Sequence, residues 1–310
     1  MLKVLFSARP DLWDEYRDPL SRAFAEAGLD VDLARDHPAD VVDYIVFAPN
    51  GPVTDFSPFS STKCVMSLWA GVETVVNNTT LTQPLARMVD QGLTRGMTEW
   101  VVGHTMRHHL GMDAHIKGQD GVWRDHSYPP LAEERPVTIL GLGALGTAAA
   151  KALRDLGFPV TGWSRGHKDI PGIECLSGEA GLQQALTGAQ VVVLLLPMTP
   201  LTHNILNADR LGLLARGAFV LNPGRGPMID DNALLSALDS GQVEHATLDV
   251  FRQEPLPPTD PYWTHPKVTV TPHIASTTRA RTAAQMIATN IMRGEAGEPF
   301  LHLVDRGAGY

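Results

Sequence analysis

The chain has 310 residues, of which 44% are hydrophobic and 19% charged, a composition typical of a globular protein with two domains. Its 34 acidic residues outnumber its 25 lysines and arginines, and a formal net charge of −9 argues against a nucleic-acid-binding protein. The sequence has no apolar run of the roughly 18 residues that a membrane helix requires, and a signal peptide is not expected from its first residues. Cys64 and Cys175 are far apart, which favours reduced core thiols in a cytoplasmic protein.

Residues 1–98 are predicted to form a first α/β unit. Strands are predicted at LKVLFS, VDLA, DYIVFAP and KCVMSLW. A helix is predicted from Asp14 to Ala27, and Gly28 is expected to end it. Strands that alternate with helices favour a mainly parallel sheet.

A long helix is predicted to begin near Thr98, as its N-cap, and to stop at Gly111. His104 and His108 share one face of this helix, at the spacing of a helical metal-binding pair. The sequence offers no H-E-x-x-H frame and no obvious third ligand, so we interpret both as satisfied core or interface histidines. The polar, proline-containing segment 115–136 that follows is interpreted as a connecting arm or a dimer contact.

The stretch VTILGLGALG begins at Val137 with a predicted strand and continues into a helix-forming segment. Its G-x-G-x-x-G spacing is weak evidence alone, but a strand before it and an amphipathic helix after it indicate a dinucleotide site. The first glycine allows the tight turn, the second leaves room for the pyrophosphate, and the third lets the helix approach the strand. The N–H groups at the start of the helix suit phosphate. The predicted contacts are Gly141, Gly143, Ala144, Leu145 and Gly146.

A second α/β unit extends from Val137 to about Pro272. Its further strands are predicted at PVTGWS, VVVLLLP, AFVLNPG, HATLDVF and KVTVTPH. The continuous apolar run at 191–196 suits a parallel strand covered on both faces. A last helix at 277–293 is expected to pack on the first unit. We therefore predict two domains, one of residues 1–98 with 275–310 and one of residues 99–274.

Five motifs of the second half are far more selective than the glycine pattern. They read GLGALG at 141–146, LLPMTPLTHNILN at 195–207, LNPGRGPMIDDNALLSAL at 221–238, LDVFRQEPLP at 248–257 and HPKVTVTPHIAS at 265–276. With them the chain resembles the D-isomer-specific 2-hydroxyacid dehydrogenase family. Within that family, SLWAGVE at 67–73, WSRGHK at 163–168, EPLPP at 254–258 and the terminal VDRGAGY are most similar to the reductases of glyoxylate and hydroxypyruvate.

The resemblance implies three catalytic residues, Arg225, Glu254 and His273, each of which follows a predicted strand. A guanidinium can hold the carboxylate and polarise the carbonyl of a 2-keto acid through its forked donors. His273 would give a proton to the carbonyl oxygen as hydride arrives from the nicotinamide. Glu254 would orient the imidazole and favour its protonated form. Each residue alone has an ordinary structural interpretation, but their joint placement after successive strands favours catalysis.

The resemblance also implies contacts with the cofactor and the substrate. The implied cofactor contacts are Leu196, Pro197 and Thr202 after the buried strand, Asn222, Pro223 and Gly224 beside the nicotinamide ribose, and Asp249 at the nicotinamide amide. The backbone N–H groups of Ala70, Gly71 and Val72 match the turn that holds the substrate carboxylate.

Two positions depart from the common pattern. NAD-specific sites carry an acidic residue at the end of the second strand, but here Ser164 stands there, followed by Arg165 and Lys168. Two cations favour a 2′-phosphate, so we predict NADPH in preference to NADH. The second departure is Trp69, where the family more commonly has glycine. Trp69 either narrows the mouth of the substrate pocket or is a buried core aromatic.

We therefore predict an α/β protein with two doubly wound, Rossmann-like parallel-sheet domains and an active site in the cleft between them. The predicted function is NADPH-dependent reduction of a small 2-keto acid, glyoxylate or hydroxypyruvate, to the D-2-hydroxy acid by a cytoplasmic homodimer. No nucleic acid, membrane or metal is expected to bind. Two alternatives stay open, namely a dehydrogenase of a larger or phosphorylated D-2-hydroxy acid and a non-catalytic nucleotide-sensing regulatory protein.

Overall fold

The computed structural model describes residues 1–123, 125 and 128–310. In these residues the chain divides into two compact units, one of residues 1–93 with 277–310 and the other of residues 94–276. The first unit is discontinuous because the carboxyl-terminal segment returns to it. The divisions fall at 93/94 and 276/277, where the sequence predicted 98/99 and 274/275.

All named elements lie in the described residues. The strands are β1 (Leu2–Ser7), β2 (Val31–Ala34), β3 (Tyr44–Phe47), β4 (Cys64–Ser67), β5 (Leu85–Ala86), β6 (Val137–Leu140), β7 (Val160–Ser164), β8 (Glu174–Ser177), β9 (Val191–Leu194), β10 (Ala218–Asn222), β11 (Val243–Leu248) and β12 (Val268–Val270). The helices are α1 (Pro10–Glu26), α2 (Gln91–His109), α3 (Met112–Lys117), α4 (Ala144–Asp155), α5 (Gly178–Leu186), α6 (Ala208–Leu211), α7 (Asp231–Asp239) and α8 (Ala280–Glu295). In this part of the chain, none of the helices combines the length and apolar character needed to cross a bilayer.

The first unit contains a five-stranded parallel sheet in the order β2-β1-β3-β4-β5. Side chains alternate between its two faces. On one face Cys64 and Met66 pack with α1 and α8, and on the other Val65 packs with Val72. The last helix of the chain therefore completes the first unit, as its sequence predicted.

The second unit contains a seven-stranded parallel sheet in the order β12-β11-β10-β9-β6-β7-β8. The central strand β9 is buried along its whole length, which agrees with its continuous apolar sequence. In both sheets the strand order reverses beside the first strand, which is the mark of a doubly wound fold. The predicted fold class, two doubly wound parallel-sheet domains, is confirmed.

Two helices begin earlier than the sequence predicted. The helix predicted from Asp14 begins at Pro10, a residue suited to the first helical turn because it has no N–H group. The helix predicted from Thr98 begins at Gln91, because Asp90 caps it. The Asp90 carboxylate accepts the N–H groups of Gly92 and Leu93 at 3.0 and 3.2 Å. The predicted end of this helix agrees better with the structure, since Gly111 follows the end of α2 and has a φ of 62°.

Two short edge strands, β5 and β8, were not predicted. β5 has two residues, and β8 is partly exposed along its length, so neither shows the apolar run typical of a central strand. Cys175 lies on β8 and is half-buried, so the prediction of a core position holds for Cys64 alone. Both thiols are free.

The segment 115–136 was predicted to be a connecting arm or a dimer contact. Residues 124, 126 and 127 of this segment lie outside the described residues. The described part contains the end of α3, then residues without regular secondary structure, and a short 3-10 helix at Ala132–Glu134. Several large apolar side chains are exposed here, among them Ile116, Trp123, Tyr128 and Leu131.

Candidate active site

The three glycines after β6 meet three different steric requirements. Gly141 has φ of +111°, and a Cβ atom there would lie 2.5 Å from the Leu195 carbonyl oxygen. A Cβ atom at Gly146 would lie 1.7 Å from the Gly141 carbonyl oxygen, so α4 could not approach the turn with a side chain there. A Cβ atom at Gly143 would meet nothing within 4 Å among the described residues, so the space in front of this residue is open.

The helix that follows this turn starts with Ala144 and Leu145. Within the described residues no side chain caps its first N–H groups. Unpaired N–H groups at a helix start, facing open space at Gly143, can bind a phosphate by donating hydrogen bonds to its oxygens. The residues present therefore fit the pyrophosphate of a dinucleotide.

The turn after β7 carries the two cations that were predicted to select the cofactor. The Ser164 hydroxyl donates to the Gly166 carbonyl at 2.8 Å and so shapes the turn. Arg165 and Lys168 are exposed in this turn. A hydroxyl and two positive charges at the end of β7 are suited to a phosphorylated ribose, whereas an acidic residue there would repel it.

His273 and Glu254 are in direct contact. His273 Nδ1 lies 2.7 Å from Glu254 Oε2, and Glu254 Oε1 accepts the Phe251 N–H at 2.9 Å. A carboxylate can only accept a hydrogen bond, so the ring proton lies on Nδ1 in the neutral imidazole and Nε2 is the nitrogen turned to other chemistry. The side chain of His273 is 51% exposed, which leaves it accessible to a substrate.

The loop that carries His273 is held by Asp249, a residue buried at the end of β11. Its Oδ1 accepts the Thr271 hydroxyl at 2.6 Å and the Ile274 N–H at 2.9 Å, and its Oδ2 accepts the Ala275 N–H at 2.9 Å. Its carbonyl accepts the His273 N–H at 2.8 Å. These bonds support His273 in a left-handed conformation, with φ of 54°, which few residues other than glycine adopt. Asp249 therefore supports the loop, and its predicted contact with the nicotinamide amide stays a prediction.

Arg225 follows β10 and is half-buried. Its Nη1 donates to the Gly224 carbonyl at 2.8 Å. The side chain of Asn222 closes the turn, since it accepts the Gly224 N–H at 3.1 Å and donates to the Arg225 carbonyl at 3.0 Å. A Cβ atom at Gly226 would lie 2.0 Å from the Phe251 carbonyl carbon, so the Arg225 turn packs closely on the segment that leads to Glu254.

β10, β11 and β12 are neighbours in one parallel sheet, so the segments after them share one edge. Arg225, Glu254 and His273 follow these strands in that order. The structure thus brings together the carboxyl-end segments that carry all three residues, although their catalytic roles stay predictions.

Arg252 is a residue of this region that the sequence reasoning missed. Its Nε donates to Asp231 Oδ2 at 2.7 Å, and its Nη2 donates to the Ile229 carbonyl and to the Asn204 side chain. Tyr262 donates to the other oxygen of Asp231 at 2.9 Å. Arg252 therefore fixes the segment before Glu254 to the start of α7. Its sequence position, two residues before Glu254, was the sole signal for this role.

Thr202 organises the loop after β9. Its hydroxyl donates to the Pro197 carbonyl at 2.8 Å and accepts the Thr199 N–H at 2.8 Å. Thr202 and Leu196 are both buried. The cofactor contacts predicted for Leu196, Pro197 and Thr202 stay predictions, since the visible role of the hydroxyl is to close the loop.

In the first unit, the turn from Trp69 to Val72 follows β4. The Trp69 N–H donates to the Ser67 hydroxyl at 3.0 Å, and its carbonyl accepts the Met88 N–H at 3.0 Å. The Trp69 side chain is 40% exposed, which contradicts the alternative that it is a buried core aromatic. Val72 is buried in the core, so its backbone rather than its side chain is available to a ligand. Ala70 and Gly71 are half-buried.

His104 and His108 differ in their surroundings. His108 is a satisfied core histidine, because its Nε2 lies 2.9 Å from the Thr247 hydroxyl. Its ring stacks on the Phe219 ring, with the two ring centroids 4.7 Å apart. His104 is not satisfied within the described residues, because its buried Nδ1 has no hydrogen-bond partner there, and its place at an interface stays a prediction. Its ring packs against the Trp100 ring, with the two ring centroids 4.4 Å apart. The described residues contain no group of three or more His, Cys, Asp or Glu side chains that could hold a metal ion.

Comparison with known proteins assigns the chain to a class of enzyme. Residues 100–275 match the family model of the D-isomer specific 2-hydroxyacid dehydrogenase NAD binding domain. Glyoxylate/hydroxypyruvate reductase A of Yersinia enterocolitica is 38% identical over 256 residues, which is 80% of this chain and 82% of the relative. The protein of the same name from Salmonella heidelberg is 39% identical over 261 residues, with the same shares covered.

Solved structures of relatives agree. A D-isomer specific 2-hydroxyacid dehydrogenase from Xanthobacter autotrophicus Py2, in complex with NADPH and MES, is 39% identical with a TM-score of 0.91, covering 100% of this chain and 99% of that one. An NADPH-dependent glyoxylate/hydroxypyruvate reductase from Sinorhizobium meliloti, in complex with NADP and sulfate, is 35% identical with a TM-score of 0.86, covering 100% of both chains. The chain belongs to the D-isomer-specific 2-hydroxyacid dehydrogenase family. The prediction of an NAD(P)-dependent oxidoreductase is confirmed.

Proposed function

We propose that the chain reduces a small 2-keto acid, glyoxylate or hydroxypyruvate, to the D-2-hydroxy acid with NADPH. The observation that carries the proposal is the hydrogen-bonded pair of His273 and Glu254, 2.7 Å apart, on the sheet edge that also bears Arg225. A cation that binds carboxylate beside an oriented imidazole is what carbonyl reduction of a 2-keto acid requires.

In this mechanism each residue has one task. NADPH, when bound, supplies hydride to the carbonyl carbon. His273 Nε2 donates a proton to the carbonyl oxygen, and Glu254 stabilises the protonated ring through Nδ1. Arg225 binds the carboxylate and polarises the carbonyl through its forked N–H donors. The N–H groups of Ala70, Gly71 and Val72 would bind the same carboxylate, and Trp69 would narrow the pocket mouth against bulkier acids.

The preference for NADPH is supported by Arg165 and Lys168 in the turn after β7. These two cations match a 2′-phosphate, which carries close to two negative charges. The relatives from Xanthobacter autotrophicus and Sinorhizobium meliloti were solved with NADPH and NADP, respectively. We extend this cofactor to the chain.

The test is a substrate panel with the purified protein. Oxidation of NADPH and of NADH is followed with glyoxylate, hydroxypyruvate, a bulkier 2-keto acid and phosphohydroxypyruvate, and the product's configuration is assigned by chiral analysis. We expect the highest kcat/KM for glyoxylate or hydroxypyruvate with NADPH, and a D product from hydroxypyruvate. A preference for the bulkier or phosphorylated acid would support the alternative dehydrogenase. NADPH binding without turnover of any acid would support a nucleotide sensor.

We also propose that the protein is a cytoplasmic homodimer. Support for an interface comes from exposed apolar side chains, among them Trp123, which is 88% exposed, and Tyr128, which is 83% exposed. Large apolar side chains exposed on one segment favour a contact surface. Light scattering after size-exclusion chromatography should give twice the chain mass, and Trp123→Asp with Tyr128→Asp should give monomers. A wild-type monomer would contradict the proposal. The two free thiols support the cytoplasmic location.

A further inference from the structure

Arg87 lies at the carboxyl end of β5, beside the turn that begins at Trp69. It follows Ala86, which pairs with β4. On one side the Met88 N–H donates to the Trp69 carbonyl at 3.0 Å. On the other side the Arg87 N–H donates to the His302 carbonyl at 3.0 Å. The backbone of Arg87 is therefore fixed between two segments of the first unit.

The side chain of Arg87 lies on the face of the sheet that carries the Val72 turn. Leu85, two residues earlier, packs in the same core cluster as Val72. Ala86 and Met88 pack in the cluster on the opposite face. Because side chains alternate along a strand, Arg87 shares the face of Leu85. A guanidinium thus lies on the same face as the turn whose N–H groups we propose to bind the substrate carboxylate.

Within the described residues, no carboxylate forms an ion pair with Arg87. The residue is half-buried, and burial lowers the pKa of its guanidinium with no neighbouring acid to oppose the shift. Burial and the positive charge of Arg87 together lower the pKa of His302, so this neighbour favours its neutral form, and a histidine cannot neutralise the charge of Arg87. A cation that is partly removed from water without a counter-charge is costly, and an anion from solution would offset that cost.

We propose that Arg87 is a substrate-binding residue that holds the carboxylate of the 2-keto acid on the first unit. This inference rests on the proposed function and deepens it. The forked donors of arginine match a carboxylate, and the N–H groups of residues 70–72 supply further donors to the same anion. Arg87 has no part in the transfer of hydride or of the proton, so it acts on substrate binding. Arg225 keeps its proposed role of binding the carboxylate and polarising the carbonyl.

The kinetic test compares Arg87→Gln, Arg87→Lys and Arg22→Gln. Arg22 is an exposed arginine on α1 of the same unit and is the matched control. In Arg87→Gln we expect the KM for glyoxylate to rise about tenfold or more, the loss expected for a hydrogen bond between charged groups. We expect kcat and the Kd for NADPH to stay within about twofold, because the lost contact is made equally before and during the reaction. Arg87→Lys should show a smaller rise in KM, and Arg22→Gln none.

A second measurement does not depend on turnover. Oxalate, a dicarboxylate probe, should raise the Tm of the NADPH-loaded wild type and of Arg22→Gln, and should raise that of Arg87→Gln much less. An unchanged KM in Arg87→Gln, or an oxalate shift equal to that of the wild type, overturns the proposal. A lower Tm and lower kcat with unchanged KM would mean that Arg87 only supports the His302 segment, and the proposal would be wrong.

Two outcomes separate this proposal from the proposed function. If the wild type reduces no 2-keto acid, the proposed function fails, and the oxalate shift alone decides whether Arg87 binds an anion. If Arg87→Gln does not fold, Arg87→Lys carries the test, because it keeps the charge and loses the fork. A KM for Arg87→Lys equal to the wild type, together with an equal oxalate shift, would then overturn the assignment.

Discussion

At the scale of single residues, the oxygens of Glu254 have two separate partners. Oε1 accepts the Phe251 N–H at 2.9 Å, which fixes the carboxylate, and Oε2 faces His273 Nδ1 at 2.7 Å. Substitution of this residue can therefore change the charge beside the ring while it keeps the shape. Glutamine is the suitable replacement, because its amide can occupy the same space and its oxygen can still accept the Phe251 N–H.

We expect Glu254→Gln to lower kcat for keto-acid reduction about tenfold or more, with a smaller change in the KM for glyoxylate. A charged carboxylate makes a stronger hydrogen bond to His273 Nδ1 than a neutral amide does, so the ring is held less well as it donates its proton from Nε2. The measurement is kcat and KM for glyoxylate. Glu244→Gln, at an exposed position on β11, is the control and should leave both unchanged.

An unchanged kcat in Glu254→Gln, combined with an inactive His273→Ala, would show that Glu254 does not support the proton donor. Hydroxy-acid oxidation gives an independent check. The reverse reaction uses the same pair of side chains, so its kcat should also fall in Glu254→Gln.

At the scale of elements, the turn from β6 into α4 contains one glycine that close packing requires and one that leaves open space for a ligand. A Cβ atom at Gly146 would lie 1.7 Å from a backbone oxygen, whereas one at Gly143 would meet no described atom within 4 Å. Gly143 also has φ of −73°, which any residue can adopt. The two glycines of one motif therefore have different consequences when replaced.

We expect Gly146→Ala to lower the free energy of unfolding by about 1–3 kcal/mol, as overpacking does. Gly143→Ala should leave the stability within about 0.5 kcal/mol of wild type, as an uncrowded substitution does, yet weaken NADPH binding by obstructing the pyrophosphate. Urea unfolding and NADPH titration by fluorescence measure the two effects. Equal loss of stability in both variants would contradict the steric assignment.

The packing of α2 on the second sheet buries two histidines whose protonation opposes folding. Burial lowers the pKa of His108 to about 3 and that of His245 to about 4, from an ordinary value of 6.5. The nearby positive charge of Arg107 adds to both shifts, and Asp113 partly offsets them. Between these values the unfolded chain binds more protons than the folded chain.

The free energy of unfolding should therefore be highest above about pH 6.5, where both histidines are neutral in the folded and the unfolded chain. It should decrease as the pH falls toward 4. The loss should reach a few kcal/mol, since one unit of pKa shift corresponds to about 1.4 kcal/mol. Urea unfolding between pH 7.5 and about pH 4.5 measures this dependence. His108→Phe should flatten it, whereas His167→Asn, at an exposed position, should not. Constant stability over this range in the wild type would refute the prediction.

The elements differ in how far the sequence could predict them. β9 and β6 are apolar and central, so their own residues determine them, and they were predicted correctly. β5 exists because β4 and the segment around Val304 bond to it, and such distant partners leave no local pattern. The start of α2 depends on the Asp90 cap, which the sequence reasoning overlooked.

The residues of the candidate site also differ in how far the sequence could predict them. The glycine turn was predictable from local spacing, because each glycine answers a steric need within a few residues or at the adjacent strand. The roles of Arg225, Glu254 and His273 came from the family resemblance. Arg252 was missed because its contacts reach Asn204, Ile229 and Asp231, which are distant in sequence. Its importance is visible only once the chain is folded.

At the scale of the whole molecule, a chain with a net charge of −9 is proposed to bind two anions, a nucleotide and a keto acid. Long-range attraction does not favour either anion, so local cations must provide the affinity. Arg165 and Lys168 are the cations that we assign to the nucleotide. Their effect is measurable as a change in global stability, since a ligand that binds the folded chain raises the Tm.

NADPH at one hundred times its Kd should stabilise the fold by about 2.7 kcal/mol, and NADH at the same concentration by less. Replacement of both Arg165 and Lys168 by Ala should remove this difference and leave the NADH effect nearly unchanged. Thermal unfolding with each cofactor gives the comparison. Equal weakening of NADPH and NADH would mean that the two side chains do not recognise the 2′-phosphate.

The bonds that Asp249 makes also bear on how slowly the loop that carries His273 opens to solvent. The N–H groups of His273, Ile274 and Ala275 all donate to this one residue. Their amide hydrogens should therefore exchange with deuterium slowly and at a common rate, although the His273 side chain is accessible, and Asp249→Asn should accelerate all three together. Fast exchange of these amides in the wild type would contradict this view. A loop with one shared anchor leaves little room for insertions, so attempts to change the substrate range are better directed at the Trp69 turn.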